Sequence, residues 1–255
     1  MKICLVVLFT GLLTLPALAE WKAESLKTPI HFSSGAQLVE ASLFQDNKTV
    51  HLTAFIFEER NYEFRVVDNA SKSSTLMSGM EATSASAGVN GGYFQEDFTP
   101  VGLLVENGKR LHEFQTAKLL SGVFWVQGNG KPEILSAQTF SSRDRKPLQA
   151  IQCGPRLVQE GKATVGLNAV RSARRTIIAT DGHGKWALLT LSTGTLADAA
   201  EILTVSGLFN GLSISSALNF DGGSSTGLWV KKEPKAFYVM PYANVRDYLA
   251  VFPKH

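Results

Sequence analysis

Turn signals cut this chain into short pieces, and that punctuation constrains its fold more than any other feature of its 255 residues. Asn107-Gly108, Gly128-Asn129-Gly130 and Asp181-Gly182-His183-Gly184 each divide two runs of strand-like residues, the pattern of a β-hairpin. Upstream, Val39, Ala41 and Leu43 alternate with polar neighbours, as do Val50, Leu52, Ala54 and Ile56. Residues 62–68 continue the theme, and further strands are expected at 86–89, 101–106, 109–114, 122–127, 133–136, 150–153, 156–158, 175–180, 185–191, 227–231, 236–240 and 248–252. Two stretches read as helix: 72–82, with Leu76 and Met80 on one face, and 196–208, with Thr195 as its cap. Strands that follow one another through hairpins argue for an α+β fold, largely antiparallel or mixed sheet with a few helices, and against a doubly wound parallel sheet. No repeat or linker divides 20–255, which reads as a single domain with a polar loop at 141–147.

Residues 1–19 read as a secretory signal peptide. Lys2 supplies the positive start, 3–15 the apolar stretch, and Ala17-Leu18-Ala19 a small-x-small cleavage site. The apolar run is short for a bilayer span, so a periplasmic or secreted protein without a stable membrane anchor is expected. Cleavage removes Cys4 and leaves Cys153 alone, so no internal disulfide can form. Cys153 lies in the apolar run Ala150-Ile151-Gln152-Cys153 and reads as a small buried hydrophobe. Stability must come from the core, which a composition 44% hydrophobic can supply. The net charge of +3 includes no basic stripe of the kind nucleic acid requires.

Candidate chemistry gathers at Ala217-Leu218-Asn219-Phe220-Asp221-Gly222-Gly223-Ser224-Ser225-Thr226-Gly227. An apolar run ends on a carboxylate, and two glycines allow the chain to turn with its N–H groups bare. The alternative is a tight turn with a capping Asp. Gly223-Ser224-Ser225-Thr226-Gly227 matches the nucleophile-elbow pattern, but a strand follows where the elbow needs a helix. Only His255 follows the serine, so a serine hydrolase is rejected. The histidines show no metal-ligand spacing. Two other patterns stand out. Asn90-Gly91-Gly92-Tyr93-Phe94 offers an amide for a sugar hydroxyl or phosphate and an aromatic face for a sugar; its plain alternative is a turn with core aromatics. Arg171-Ser172-Ala173-Arg174-Arg175-Thr176 could clamp a phosphate, or be a solvated charge run. On a regular strand from Arg174, Arg174 and Thr176 share one face and Arg175 the other, so the arginines cannot all point at one ligand, while Arg171 lies free in the loop before them.

Taken in order, Asn90-Gly91-Gly92-Tyr93-Phe94, Gly154-Pro155, the Arg171/Arg174 pair and Leu218-Asn219-Phe220-Asp221-Gly222-Gly223-Ser224-Ser225 resemble the phosphodiester glycosidase domain family over roughly 71–252. That family includes the lysosomal uncovering enzyme, which removes N-acetylglucosamine from a phosphodiester; its bacterial members are exported and often linked to exopolysaccharide. Where the family usually has Pro-Arg-Thr, this chain has Ala173-Arg174-Arg175, and the cysteine-rich extension of the animal enzyme is missing. The resemblance implies hydrolysis of a sugar-1-phosphodiester at its anomeric carbon, the substrate being a sugar phosphodiester or polysaccharide. It implies Asp221 as general base or nucleophile, Arg171 and Arg174 on the phosphate, and Asn90 positioning a sugar hydroxyl or the phosphate. Gly91, Gly92, Tyr93, Gln152, Gly222, Gly223, Ser224 and Ser225 form the implied substrate-binding set, with Asp97 as a possible second carboxylate. No cofactor is called for with certainty; a divalent ion on Asp221 is compatible, but the sequence shows no ligand set. The alternatives are a non-catalytic carbohydrate-binding protein of exopolysaccharide assembly and a structural partner in that assembly.

Overall fold

The computed structural model describes residues 20–141 and 145–254. The expected signal peptide at 1–19, and residues 142–144 of the expected polar loop, lie outside the described residues. Strand pairing is antiparallel throughout the described residues. Among the described residues the strands form a nine-stranded sheet and two five-stranded sheets.

The centre of the large sheet is buried on both faces, and its sequence shows why. In the hairpin Arg175–Thr180 and Lys185–Leu191, nearly every residue is buried, and alternate residues serve two different cores. Ile177, Ala179, Ala187, Leu189 and Leu191 pack with Ala199, Ala200 and Ile202 of the helix Leu196–Ile202. Ile178, Trp186, Leu188 and Leu218 face the other way, onto Phe64, Phe124, Val89 and Leu249 of the smaller sheets. Trp186 meets Phe64 and Phe124 edge to face, with ring centroids 5.1 and 5.8 Å apart. Such pairs add about 0.5–1.5 kcal/mol each beyond the area they bury.

The helices are shorter than the periodicity predicts. One runs Leu76–Thr83, closed at its start by a Thr75/Ser78 capping box, and not from 72. The other stops at Ile202 rather than 208, because Thr204 turns its hydroxyl back onto the Glu201 carbonyl at 2.8 Å, and Gly207 takes a left-handed φ of 75°. Leu208 is still buried, so the hydrophobic spacing holds there although the backbone is no longer helical. The strand Lys22–Leu26, exposed along its whole length, pairs with Gln37–Gln45 and gives no alternation to read.

Two junctions position the candidate site. The strand Ala87–Asn90 lies in a small sheet between Leu228–Val230 and Asp247–Pro253. The strand Ser216–Asn219 lies in the large sheet beside Arg175–Thr180. Their carboxyl ends, and that of Gln149–Cys153, meet the starts of Arg175–Thr180 and Asp247–Pro253 at one edge of the interface between sheets.

Candidate active site

Asn90 stitches the two sheets together. Its Nδ2 donates to the Asp221 carbonyl at 2.8 Å, while its Oδ1 accepts from the Thr176 hydroxyl at 2.7 Å and the Gly227 N–H at 3.1 Å. It is fully buried, so it shapes the site from behind and does not present its amide to a ligand. Asn219 does the same one layer over, its Nδ2 lying 3.0 Å from both the Tyr93 hydroxyl and the Gly154 carbonyl. The Tyr93 hydroxyl itself donates to that carbonyl, and burial raises its pKa.

Asp221 follows that strand and is half-buried. Its backbone N–H donates to the Gly91 carbonyl at 3.0 Å, which joins the two glycine-bearing turns. Its Oδ1 accepts the Gly222 N–H at 2.9 Å, and the Ser225 side chain also bonds the carboxylate. Burial outweighs both and raises its pKa above the ordinary carboxylate value. The N–H groups of this turn, expected to be bare, are mostly taken. Gly222 donates to Asp221, Gly223 to the Arg174 carbonyl at 2.9 Å, and Ser225 to the Gly222 carbonyl at 3.2 Å. Those donors close the turn upon itself, and Ser224 stands exposed at its tip. The glycine at 222 is required by close approach: a Cβ there would lie 2.6 Å from the Arg174 carbonyl oxygen.

The arginines form a rim. Arg174 donates from Nη2 to the Met240 carbonyl at 3.0 Å and stacks its guanidinium 4.3 Å from the centroid of the Tyr242 ring. Its Nη1 is buried without a hydrogen-bond partner. Arg175 opens the regular strand and turns to the opposite face, donating to the Gly194 carbonyl at 2.9 Å and the Arg171 carbonyl at 2.8 Å. Arg171 is exposed, and its charge repels that of Arg175. Arg174 thus reaches the Asp221 turn through its own carbonyl, while its side chain lies along Met240 and Tyr242. These two residues belong to a strap that the Tyr242 and Ala243 N–H groups pin to the Ser224 carbonyl at 2.7 and 3.1 Å.

Two predicted residues sit apart from this cluster. Gln152 is buried, and its amide is spent on the Leu103 and Gln115 N–H groups and the Gln115 and Leu120 carbonyls. It braces a loop. Asp97 is exposed and accepts the Thr99 N–H at 2.8 Å, an Asx turn near Lys72 that holds its pKa low. Gly91 and Gly92 lie against a residue the motifs did not single out, Asp247, whose Oδ2 accepts the Gly92 N–H at 3.1 Å. Thr176 and Tyr242 were likewise missed. Asp247 carries the same signal as Asp221, a carboxylate abutting an apolar run, but at the run's beginning. Among the described residues, no group of three or more His, Cys, Asp and Glu side chains gathers that could hold a metal ion.

Comparison of the sequence with known families gives the chain its class. The profile of the phosphodiester glycosidase family matches residues 83–252, and the chain belongs to that family. Solved structures share the fold. A hypothetical protein from Synechocystis superposes with a TM-score of 0.67 at 15% identity, over 91% of this chain and 64% of that one. The catalytic domain of zebrafish N-acetylglucosamine-1-phosphodiester alpha-N-acetylglucosaminidase, auto-inhibited by its pro-peptide, gives a TM-score of 0.58 at 16% identity, over 92% of this chain and 88% of that one. This chain thus spans just under two thirds of the Synechocystis protein. No curated protein matches it in sequence.

Proposed function

We propose that this protein is an exported phosphodiester glycosidase that cleaves a sugar-1-phosphodiester of envelope or extracellular polysaccharide. Family membership supports the reaction class. The observation that carries the reading for this chain is Asp221: a half-buried carboxylate at a strand end, its pKa raised, in a turn locked to the arginine segment by the Gly223 N–H on the Arg174 carbonyl. The signal peptide expected at 1–19 supports export.

The chemistry follows from charge. A phosphomonoester is a good leaving group, so strong acid assistance at the leaving oxygen is less necessary than in ordinary glycosides. The anionic diester needs cations beside it, and Arg171 and Arg174 supply them at the rim. Asp221 works at the anomeric carbon. As base it takes a proton from water while the water oxygen bonds to that carbon, the carbon–oxygen bond to phosphate breaks, and the phosphomonoester leaves with the bonding pair. As nucleophile it forms the bond itself, and water completes the reaction. Inversion of the anomeric centre identifies the base and retention the nucleophile. Asn90 and Asn219 act by holding the turns in place.

Incubation with a glycosyl methyl phosphodiester tests the proposal. Release of free sugar and methyl phosphate is expected. Binding without release over long incubation overturns it in favour of a carbohydrate-binding protein.

A further inference from the structure

Asp247 opens the strand Asp247–Pro253 behind the Gly91-Gly92 turn and is only 1% exposed. The proposed reaction does not use it. Its carbonyl accepts the Gly91 N–H at 2.9 Å and its Oδ2 accepts the Gly92 N–H at 3.1 Å. Gly91 passes the connection on, since its own carbonyl accepts the Asp221 N–H. The packing admits no side chain between them: a Cβ on Gly91 would lie 1.8 Å from Asp247 Oδ2. One backbone turn therefore separates a fully buried carboxyl from the carboxylate at the reacting end.

The charges around Asp247 are few. Arg246, its chain neighbour, attracts it but is already paired with Asp68, which stands opposite Asp247 in the adjoining strand Tyr62–Asp68. Asp221 repels it. The Cys153 thiol and the Tyr248 hydroxyl, both held neutral chiefly by burial, are the other titratable groups that feel it. Burial dominates over the Gly92 N–H and Arg246 and lifts the Asp247 pKa to about 7.

We infer that Asp247 is a positioning residue that sets the charge behind the Asp221 turn, so that the site takes an anionic sugar phosphodiester while Asp247 is neutral and disfavours it once Asp247 ionises. This rests on the phosphodiester reading of the site. A phosphodiester keeps one negative charge across the neutral range, so any change in its affinity there belongs to the protein. With Asp247 protonated, Asp221 carries the charge of that turn alone. Loss of the Asp247 proton places a second negative charge behind the same turn, in a medium that screens it poorly.

The test uses the whole chain and Asp247→Asn, which keeps an acceptor for the Gly92 N–H and the same shape but cannot ionise. Carboxyl carbon-13 NMR is expected to show an aspartate titrating near neutral pH in the native protein and missing from the variant. Calorimetry with the glycosyl methyl phosphodiester is expected to show roughly tenfold weaker binding at pH 8 than at pH 6 for the native protein and a nearly flat response for the variant. A purely structural Asp247 would leave the two pH dependences parallel, and that result overturns the inference. So does a native spectrum with no aspartate titrating near neutrality, which decides the matter even if the variant does not fold. Binding with the expected pH contrast but without sugar release would sink the glycosidase reading alone. Sugar release with parallel pH dependence would sink the inference alone.

Discussion

At the junction of the two sheets, Asn90 spends its amide on Asp221, Thr176 and Gly227. A short way along the same edge, Arg171 and Arg174 hold cationic side chains in partly open surroundings, where Arg174 bonds a backbone carbonyl and lies over Tyr242. The two regions answer different physical demands. Buried polar atoms need partners, and those around Asn90 form a closed network in which removal of one group strands the others. Charges at a rim keep part of their hydration and their attraction for a ligand, so the rim costs the fold little and gives the site its sign. Asp221 belongs to both: its backbone is part of the network, and its half-buried carboxylate lies in the turn that the Gly223 N–H locks to the Arg174 carbonyl.

If that division holds, substitutions should separate along it. The largest effect is expected from Asp221→Asn, which removes the charge but keeps the shape: turnover should fall roughly 10²–10⁴-fold while thermal unfolding stays near the native midpoint. Near-normal activity would mean that the carboxylate has no part in the chemistry. Asn90→Ala should act in the opposite sense, on the fold. It leaves the Thr176 hydroxyl and the Gly227 N–H without their buried acceptor and should cost roughly 2–4 kcal/mol in denaturant unfolding. A loss below about 0.5 kcal/mol would show that the junction is not a closed network.

The third prediction concerns Asp247 and pH. Its folded pKa is raised, so the native state holds a proton that the unfolded state has already lost. That contribution is fully present below the unfolded carboxylate value near pH 4 and is lost as pH rises to about 7. Asp247→Asn removes the titration. The variant's stability relative to the native protein should improve by about 3 kcal/mol between about pH 4.5 and pH 7.5, measured by urea unfolding. A difference independent of pH would contradict the assignment. The smallest effect is expected at the rim. Arg174→Ala should weaken phosphodiester binding roughly tenfold in a salt-sensitive way and change unfolding by less than about 1 kcal/mol. Equal damage to fold and binding would move Arg174 into the network.

Local features of the fold were legible where pattern and environment agreed. The strands Tyr62–Asp68, Arg175–Thr180 and Lys185–Leu191 fall where alternation and turn residues place them. The exposed strand Lys22–Leu26 has no hydrophobic face and was invisible for that reason. In the site, Asn90 and Asp221 could be found because each ends an apolar run at a glycine pair. Their division of labour could not, since burial of Asn90 depends on Thr176 and Gly227, remote in sequence. Gln152 shows the same limit: an amide beside a glycine-proline turn looks available until four backbone groups take it. Asp247 stayed hidden because its meaning comes from register, with Tyr248 opposite Asn90, and no local motif encodes that pairing.

The most direct test of the whole account is a crystal structure of the Asp221→Asn variant with an intact glycosyl methyl phosphodiester. The anomeric carbon is expected within about 3.5 Å of the side chain at 221, or one water away, and the phosphate against Arg171 and Arg174. A diester bound elsewhere, or with its phosphate turned away from both arginines, would contradict it.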